Sequence, residues 1–183
     1  MFISSILAGI SIGVAAILFC LAPNPIIGAG LFALGLLNIL LMKYHLVTGK
    51  FQHLGTQYNF LDIMEILVGN IFGVGIVSII AIVALPQVTA IAASVAATKI
   101  AVPLIITFGK AILCGYIMTV ATRPNTPLWV SALGVFAFVY TGLNHCVADA
   151  FYYMFNSSNL LPFWITVLGN AIGGKLGGIT PPQ

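Results

Sequence analysis

Residues 141–151 read TGLNHCVADAF and lie inside an apolar run, between SALGVFAFVY and YYMFN. An imidazole such as that of His145 has an unperturbed pKa of about 6.5, so it suits proton exchange or hydrogen bonding near neutral pH. Asn144 sets an amide beside it, and Asp149 follows at i+4 on nearly the same helix face. Ionisable groups inside a lipid-facing segment are costly, which makes them functional candidates by default. An ionised Asp149 would favour a protonated His145 and repel anions; a protonated one would act as a hydrogen-bond donor. The plainer alternatives are that Asp149 pairs with Lys99 or Lys110 as scaffold, and that His145 only bonds within a core. The chemistry such a set suits is hydrogen bonding or proton exchange along a path for a small polar solute.

The elements that position these groups follow from composition. The chain has 183 residues, of which 61% are hydrophobic and 5% charged, against about 25% charged in soluble domains. Its mean hydropathy is +1.16. So few charges cannot cover a water-facing surface, and lipid must be the solvent over most of the chain. Met1-Phe2-Ile3-Ser4-Ser5 carries neither a basic stretch nor a cleavage site, so the first apolar segment is expected to stay. The six basic residues (Lys43, Lys50, Lys99, Lys110, Lys175 and Arg123) are scattered, which disfavours nucleic acid as a partner. Cys20, Cys114 and Cys146 have no metal-ligand spacing and read as small buried residues. Neither enzymatic chemistry nor a cofactor is expected.

About 20 apolar residues in a helix cross the hydrocarbon core, and six segments qualify, near 2–20, 26–47, 60–85, 100–121, 128–155 and 160–178. In lipid every backbone polar group needs an internal partner, so these are helices. Pro23, Pro25, Pro86, Pro124, Pro181 and Pro182 stand at their ends. Residues 86–99 read as the longest connection, and the Gly-rich last helix is expected to end or bend early. With both termini inside, Lys50, Arg123 and Lys175 fall on the cytoplasmic side, as the positive-inside tendency asks. Asp62 and Glu65 suit the start of the third segment, and Lys43 and His45 suit a helix end that reaches the interface.

The chain also echoes itself. The pattern G-N-x-x-G begins at Gly69 and again at Gly169, so Asn70 and Asn170 recur a hundred residues apart and are expected to line the solute path. Each copy follows a helix with polar residues near its far end, Thr48-Gly49 in one case and Asn144-His145 in the other. Residues 1–85 and 100–178 then read as two three-helix halves of opposite topology within a single transmembrane domain. Such inverted repeats place their site at midplane, where helices are interrupted. The second and fifth helices are the expected broken ones. Gly-x-x-x-Gly alone signals only close helix packing.

These motifs together resemble the formate/nitrite transporter family of small-anion channels, over nearly the whole chain. The second helix carries Phe32-Ala-Leu-Gly35-Leu36 and then His45-Leu46-Val47-Thr48-Gly49, and G-N-x-x-G stands in helices three and six. Lys99 precedes Ile112-Leu113-Cys114-Gly115 at the family's spacing, and residues 138–151 align with its F-x-x-x-G-F-E-H-x-x-A-N-M-F without gaps. The resemblance implies an aquaporin-like, six-helix homopentamer with one pore per protomer. It makes His145 the central pore histidine, Thr48 its partner and Lys99 the lysine that attracts anions. It makes Phe32, Leu36, Leu46 and Phe138 the apolar constrictions. The chain departs from the pattern at His45, Asn144, Gly115 and Asp149, where the family carries an acid, an acid, an Asn and an Asn. The function implied is pH-dependent passage of small monovalent weak-acid anions such as formate or nitrite, with protons and the lipid bilayer as the other partners.

Rival readings are a channel of the same fold for hydrosulfide, lactate or a neutral or cationic solute, and a structural membrane protein. A haem-carrying subunit would need two histidines facing each other across helices, whereas His53 stands in a connection and no helix carries a histidine pair.

Overall fold

A computed structural model describes residues 1–179. Pro181 and Pro182, expected to close the last segment, lie outside the described residues. The described chain is helical: α1 (Phe2–Leu21), α2 (Pro25–Met42), α3 (Val47–Lys50), a 3-10 turn (Phe51–His53), α4 (Phe60–Ala84), α5 (Pro86–Ala101), α6 (Leu104–Thr122), α7 (Leu128–Tyr140), α8 (Cys146–Tyr153) and α9 (Leu161–Gly178). Four of these, α1, α2, α4 and α6, are long and apolar enough to cross a membrane, with mean hydropathies of 2.3, 2.1, 2.6 and 1.8. Their outward faces carry large apolar side chains; Leu61, Val83 and Ile105 are 75%, 80% and 76% exposed. In water such a surface would not persist, so lipid or another apolar surface must cover it.

The helix starts are written locally. Asn24 caps α2 by accepting from the Ile27 amide at 3.0 Å, with Pro25 at the first helical position. Asn59 and Asp62 form a reciprocal capping box at α4, which gives Asp62 the helix-start role its position suggests. Glu65, one turn on, is exposed.

Two helix pairs, α1 with α4 and α6 with α9, form the closest contacts, and α2 lies against α1 and α7. Their closeness depends on glycine. A Cβ added at Gly9 would strike the Asn70 carbonyl, and one at Gly115 would strike that of Asn170. This gives Gly115, a departure from the family pattern, a physical reason: no side chain fits between α6 and α9 there.

Three sequence expectations change. Residues 86–101 form α5, a helix in its own right, because Val88, Ala92 and Ala96 recur every four residues and bury one face completely. The last helix neither ends early nor bends out of helix; Gly173 and Gly177 seat it against Ile112 and Thr119 of α6, and it runs to Gly178. The first interruption falls at Lys43–Leu46 rather than at Thr48-Gly49, which belong to α3.

Candidate functional site

The site is built where two helices stop and restart. α2 ends on Lys43, whose backbone is left-handed at φ 58°, and the chain runs extended to Leu46 before α3 begins. α7 ends near Thr141, Gly142 is left-handed at φ 68°, and the chain runs to His145 before α8 begins. The two breaks follow one plan. The Tyr44 amide returns to the Ile39 carbonyl at 2.9 Å, and the Leu143 amide to that of Phe138 at 3.0 Å.

A break inside a membrane exposes backbone groups that water cannot reach, and each needs a partner. Asn70 and Asn170 supply these partners. Asn70 Oδ1 accepts from the Val47 amide at 2.9 Å, and its Nδ2 donates to the carbonyls of His45 and Ser5, each at 2.8 Å. Asn170 Oδ1 accepts from the Cys146 amide at 2.8 Å, and its Nδ2 donates to the carbonyls of Asn144 and Ala111, each at 2.8 Å. Both amides are fully buried and fully used. They act on the breaks as clamps rather than as groups facing an open space.

Between the breaks, Thr48 Oγ1 and His145 Nε2 meet at 2.9 Å, with both residues buried. His145 Nδ1 accepts from the Ala148 amide at 3.1 Å and so caps α8. An amide can only donate, so Nδ1 carries no hydrogen and the neutral ring holds its one proton on Nε2. Nε2 therefore donates to Thr48, whose own hydroxyl hydrogen is left for another acceptor.

Phe138 stacks on His145, with ring centroids 5.1 Å apart, and Phe32 meets Phe138 edge-on at 6.1 Å. Phe32, Leu36, Leu46 and Phe138 line one narrow gap with His145. Ile12, Met118 and Val135 complete its wall; as ordinary apolar residues of α1, α6 and α7 they give no signal in the sequence.

Cavities lie on either side. Past Phe32 and Phe138 is one of about 140 Å³ that reaches Lys99, Asp149 and Tyr152. Past Leu46 is one of about 210 Å³ bordered by Tyr44, Lys50, His53 and Gln57. Partial burial, then the charges of Lys50 and Lys175, lower the pKa of the His53 imidazole from its ordinary value. A further cavity, of about 310 Å³, borders Tyr153, Phe163 and Trp164 and shares no lining residue with these.

Lys99 Nζ stands 2.9 Å from Asp149 Oδ1, and Asn144 Nδ2 donates to Asp149 Oδ2 at 2.9 Å. Lys99, Asn144 and Asp149 thus form one cluster beside His145, and the lysine's charge is balanced within it. His45 is held by Ser4 through two contacts, its Nδ1 2.9 Å from the Ser4 hydroxyl and its amide donating to that oxygen at 3.1 Å. It does not reach freely for an interface. Ser4 had no chemical signal in the sequence beyond being a hydroxyl in an apolar helix.

Two interrupted helices clamped by buried amides, with a histidine–threonine pair inside an apolar gap, are the architecture of an integral membrane protein that handles small solutes. The sequence pattern of the formate/nitrite transporter family matches residues 1–181, and the chain belongs to that family, which is one of transporters and not of enzymes. Among solved structures it is similar to a pentameric formate channel with formate bound, with a TM-score of 0.74 and 18% identity over 97% of this chain and 91% of that one. It is also similar to an FNT family ion channel, with a TM-score of 0.78 and 22% identity over 97% of this chain and 84% of that one. At these identities the likeness is one of fold. No curated protein matches the chain.

Proposed function

We propose that the chain is a channel for small monovalent weak-acid anions such as formate or nitrite, with a path past His145 in each protomer. The observation that carries this reading is the Thr48–His145 hydrogen bond at the meeting of two helix breaks, between a cavity past Leu46 and one past Phe32 and Phe138. In this reading Phe32, Leu36, Leu46 and Phe138 are the constrictions, and Lys99, Asn144 and Asp149 form the polar wall of one vestibule. Asn70 and Asn170 hold the breaks open to the path.

The mechanism follows from the gap. A bare anion entering an apolar constriction costs on the order of tens of kcal/mol by Born estimates, whereas the neutral acid does not carry that penalty. The anion gathers in a vestibule, takes a proton from water there, and crosses as the acid. The Thr48 hydroxyl and the Nε2 hydrogen of His145 replace part of its hydration on the way. His145 acts as a hydrogen-bond donor, because a second ring proton would need Nδ1, which already accepts from Ala148.

The wider frame of the proposal is a single domain of six spans in two inverted halves, 1–85 and 100–178, assembled as a homopentamer in the cytoplasmic membrane with both termini inside. The matched clamps of Asn70 and Asn170 support the two halves. The pentamer is supported by the formate channel of like fold, which is itself pentameric. Support for the orientation is that Lys175 donates to the Leu54 carbonyl and Arg123 to that of Gly177, so both sit with Lys50 at one end.

Proteoliposome uptake of formate, nitrite, hydrosulfide and lactate across pH, with the mass of the solubilised assembly, tests this proposal. No uptake of any of the four above protein-free vesicles would refute it. The Lys99–Asp149 ion pair favours a second reading, an uncharged solute in the same fold, which uptake of lactate's neutral analogues but of none of the anions would support.

A further inference from the structure

We propose that Lys110, rather than Lys99, is the charge that draws an anion towards the vestibule beside Phe32 and Phe138, because Asp149 holds Lys99 in an ion pair while Lys110 borders the adjoining cavity unpaired. The inference rests on the channel reading above and names the residue that loads it.

A cavity of about 280 Å³ is lined by Lys99, Lys110, Thr98 and Asn144, and it adjoins the 140 Å³ cavity through Val95, Lys99 and Gly142. Asp149 uses one carboxylate oxygen on Lys99 and the other on Asn144, so neither Lys99 nor the carboxylate is free. Lys110 is half-buried, at the seventh residue of α6, and makes no hydrogen bond or ion pair among the described residues. Two ammonium groups and one carboxylate leave one positive charge. A lone ammonium within an apolar segment is costly, and one monovalent anion in the cavity brings the cluster to neutrality. The ligand class is therefore a small singly charged carboxylate or oxyanion; a dianion would leave a charge over.

A fixed cation raises the local concentration of the anion but leaves that of the neutral acid unchanged at equilibrium. Its signature is thus the anion concentration at half-maximal flux and the salt dependence of that value. Screening lengths of about 30 Å at 0.01 M and about 3 Å at 1 M give the experiment its contrast.

The test is formate uptake into proteoliposomes at graded formate, at both ionic strengths, for the unaltered protein, Lys110→Gln, Lys110→Arg and Asp149→Asn. Lys110→Gln is expected to raise the half-saturating formate concentration roughly fivefold at low salt, the effect of one unit charge at about 4 Å in water. The difference closes at high salt, and Lys110→Arg keeps the unaltered value. Asp149→Asn, which releases Lys99, moves the value the other way and carries the test if Lys110→Gln does not fold. An unchanged half-saturating concentration in Lys110→Gln, or in Asp149→Asn, would mean that solute enters as the neutral acid and overturns the inference with the channel intact. Equal impairment in Lys110→Arg and Lys110→Gln would assign the effect to packing and also overturn it. An unaltered protein that takes up no anion fails the channel reading instead.

Discussion

The Ala148 amide donates to Nδ1 of His145 at 3.1 Å, so the ring that meets Thr48 is also the cap of the helix that follows the second break. One side chain therefore joins two duties. Its Nε2 side faces the partner across the gap, and its Nδ1 side ends the break. The ring cannot tilt towards a solute without loosening α8, which fixes the donor in place before anything arrives.

Substitution separates the two duties. Asn is a good helix cap but its shorter side chain does not reach Thr48; Phe fills the gap and caps nothing. Both His145→Asn and His145→Phe are expected to lower formate uptake at least tenfold. Only His145→Phe should also lower thermal stability, by about 1 kcal/mol for the lost cap. Uptake and thermal unfolding in detergent measure the two effects, and unchanged uptake in His145→Asn would remove His145 from the path.

The clamps should matter to stability first. Asn170→Ala leaves the Cys146 amide and the carbonyls of Asn144 and Ala111 buried without their partner. A buried unsatisfied group costs about 1–3 kcal/mol, so a loss of about 3 kcal/mol or more is expected, with Asn70→Ala alike. Thermal unfolding of the two variants checks this, and a loss below 1 kcal/mol in either would mean that water has replaced the clamp.

Asp149→Leu should destabilise the protein more than Asp149→Asn. Leu strands Lys99 and Asn144 together, whereas Asn keeps an acceptor for one of them. Breaking a fully buried pair costs about 3–5 kcal/mol; Lys99 keeps 17% of its side-chain exposure, so about 2 kcal/mol is the expected loss for Leu. Equal stability of the two variants, read by the same unfolding assay, would show that the pair contributes little.

Much of this architecture was legible in the residues. The twin Gly-Asn pairs marked the repeat but not the clamping, which depends on the backbone groups the breaks leave free; their spacing from Asn144-His145 marked the second break, where Gly142 supplies the left-handed turn. The first break was misplaced because its left-handed residue is Lys43, a type that gives no turn signal. Residues 86–99 read as a connection because alanine is a weak hydrophobe; the i, i+4 spacing of Val88, Ala92 and Ala96 was the clue. The partner of Asp149 stayed open between two lysines, since a pairing across 50 residues depends on how α5 seats against α8.

The pH profile is the strictest test of the histidine's role. If the ring exchanged protons with each solute, every weak acid would show a common inflexion near the ordinary histidine value of about 6.5. On the proposed mechanism, with Nδ1 occupied by the cap, the ring only donates, and the proton on the solute comes from water. Raising the pH removes the acid form, so uptake at fixed total solute should fall about tenfold per pH unit above the solute's own pKa. A weaker acid should hold its plateau to a higher pH than formate, in the order of their acidities. Initial uptake rates of formate and hydrosulfide from pH 5 to 8 (about one half-unit apart) decide the matter. Curves that follow each solute's acidity support the donor role, and curves that bend together whatever the solute place the titrating proton on the protein.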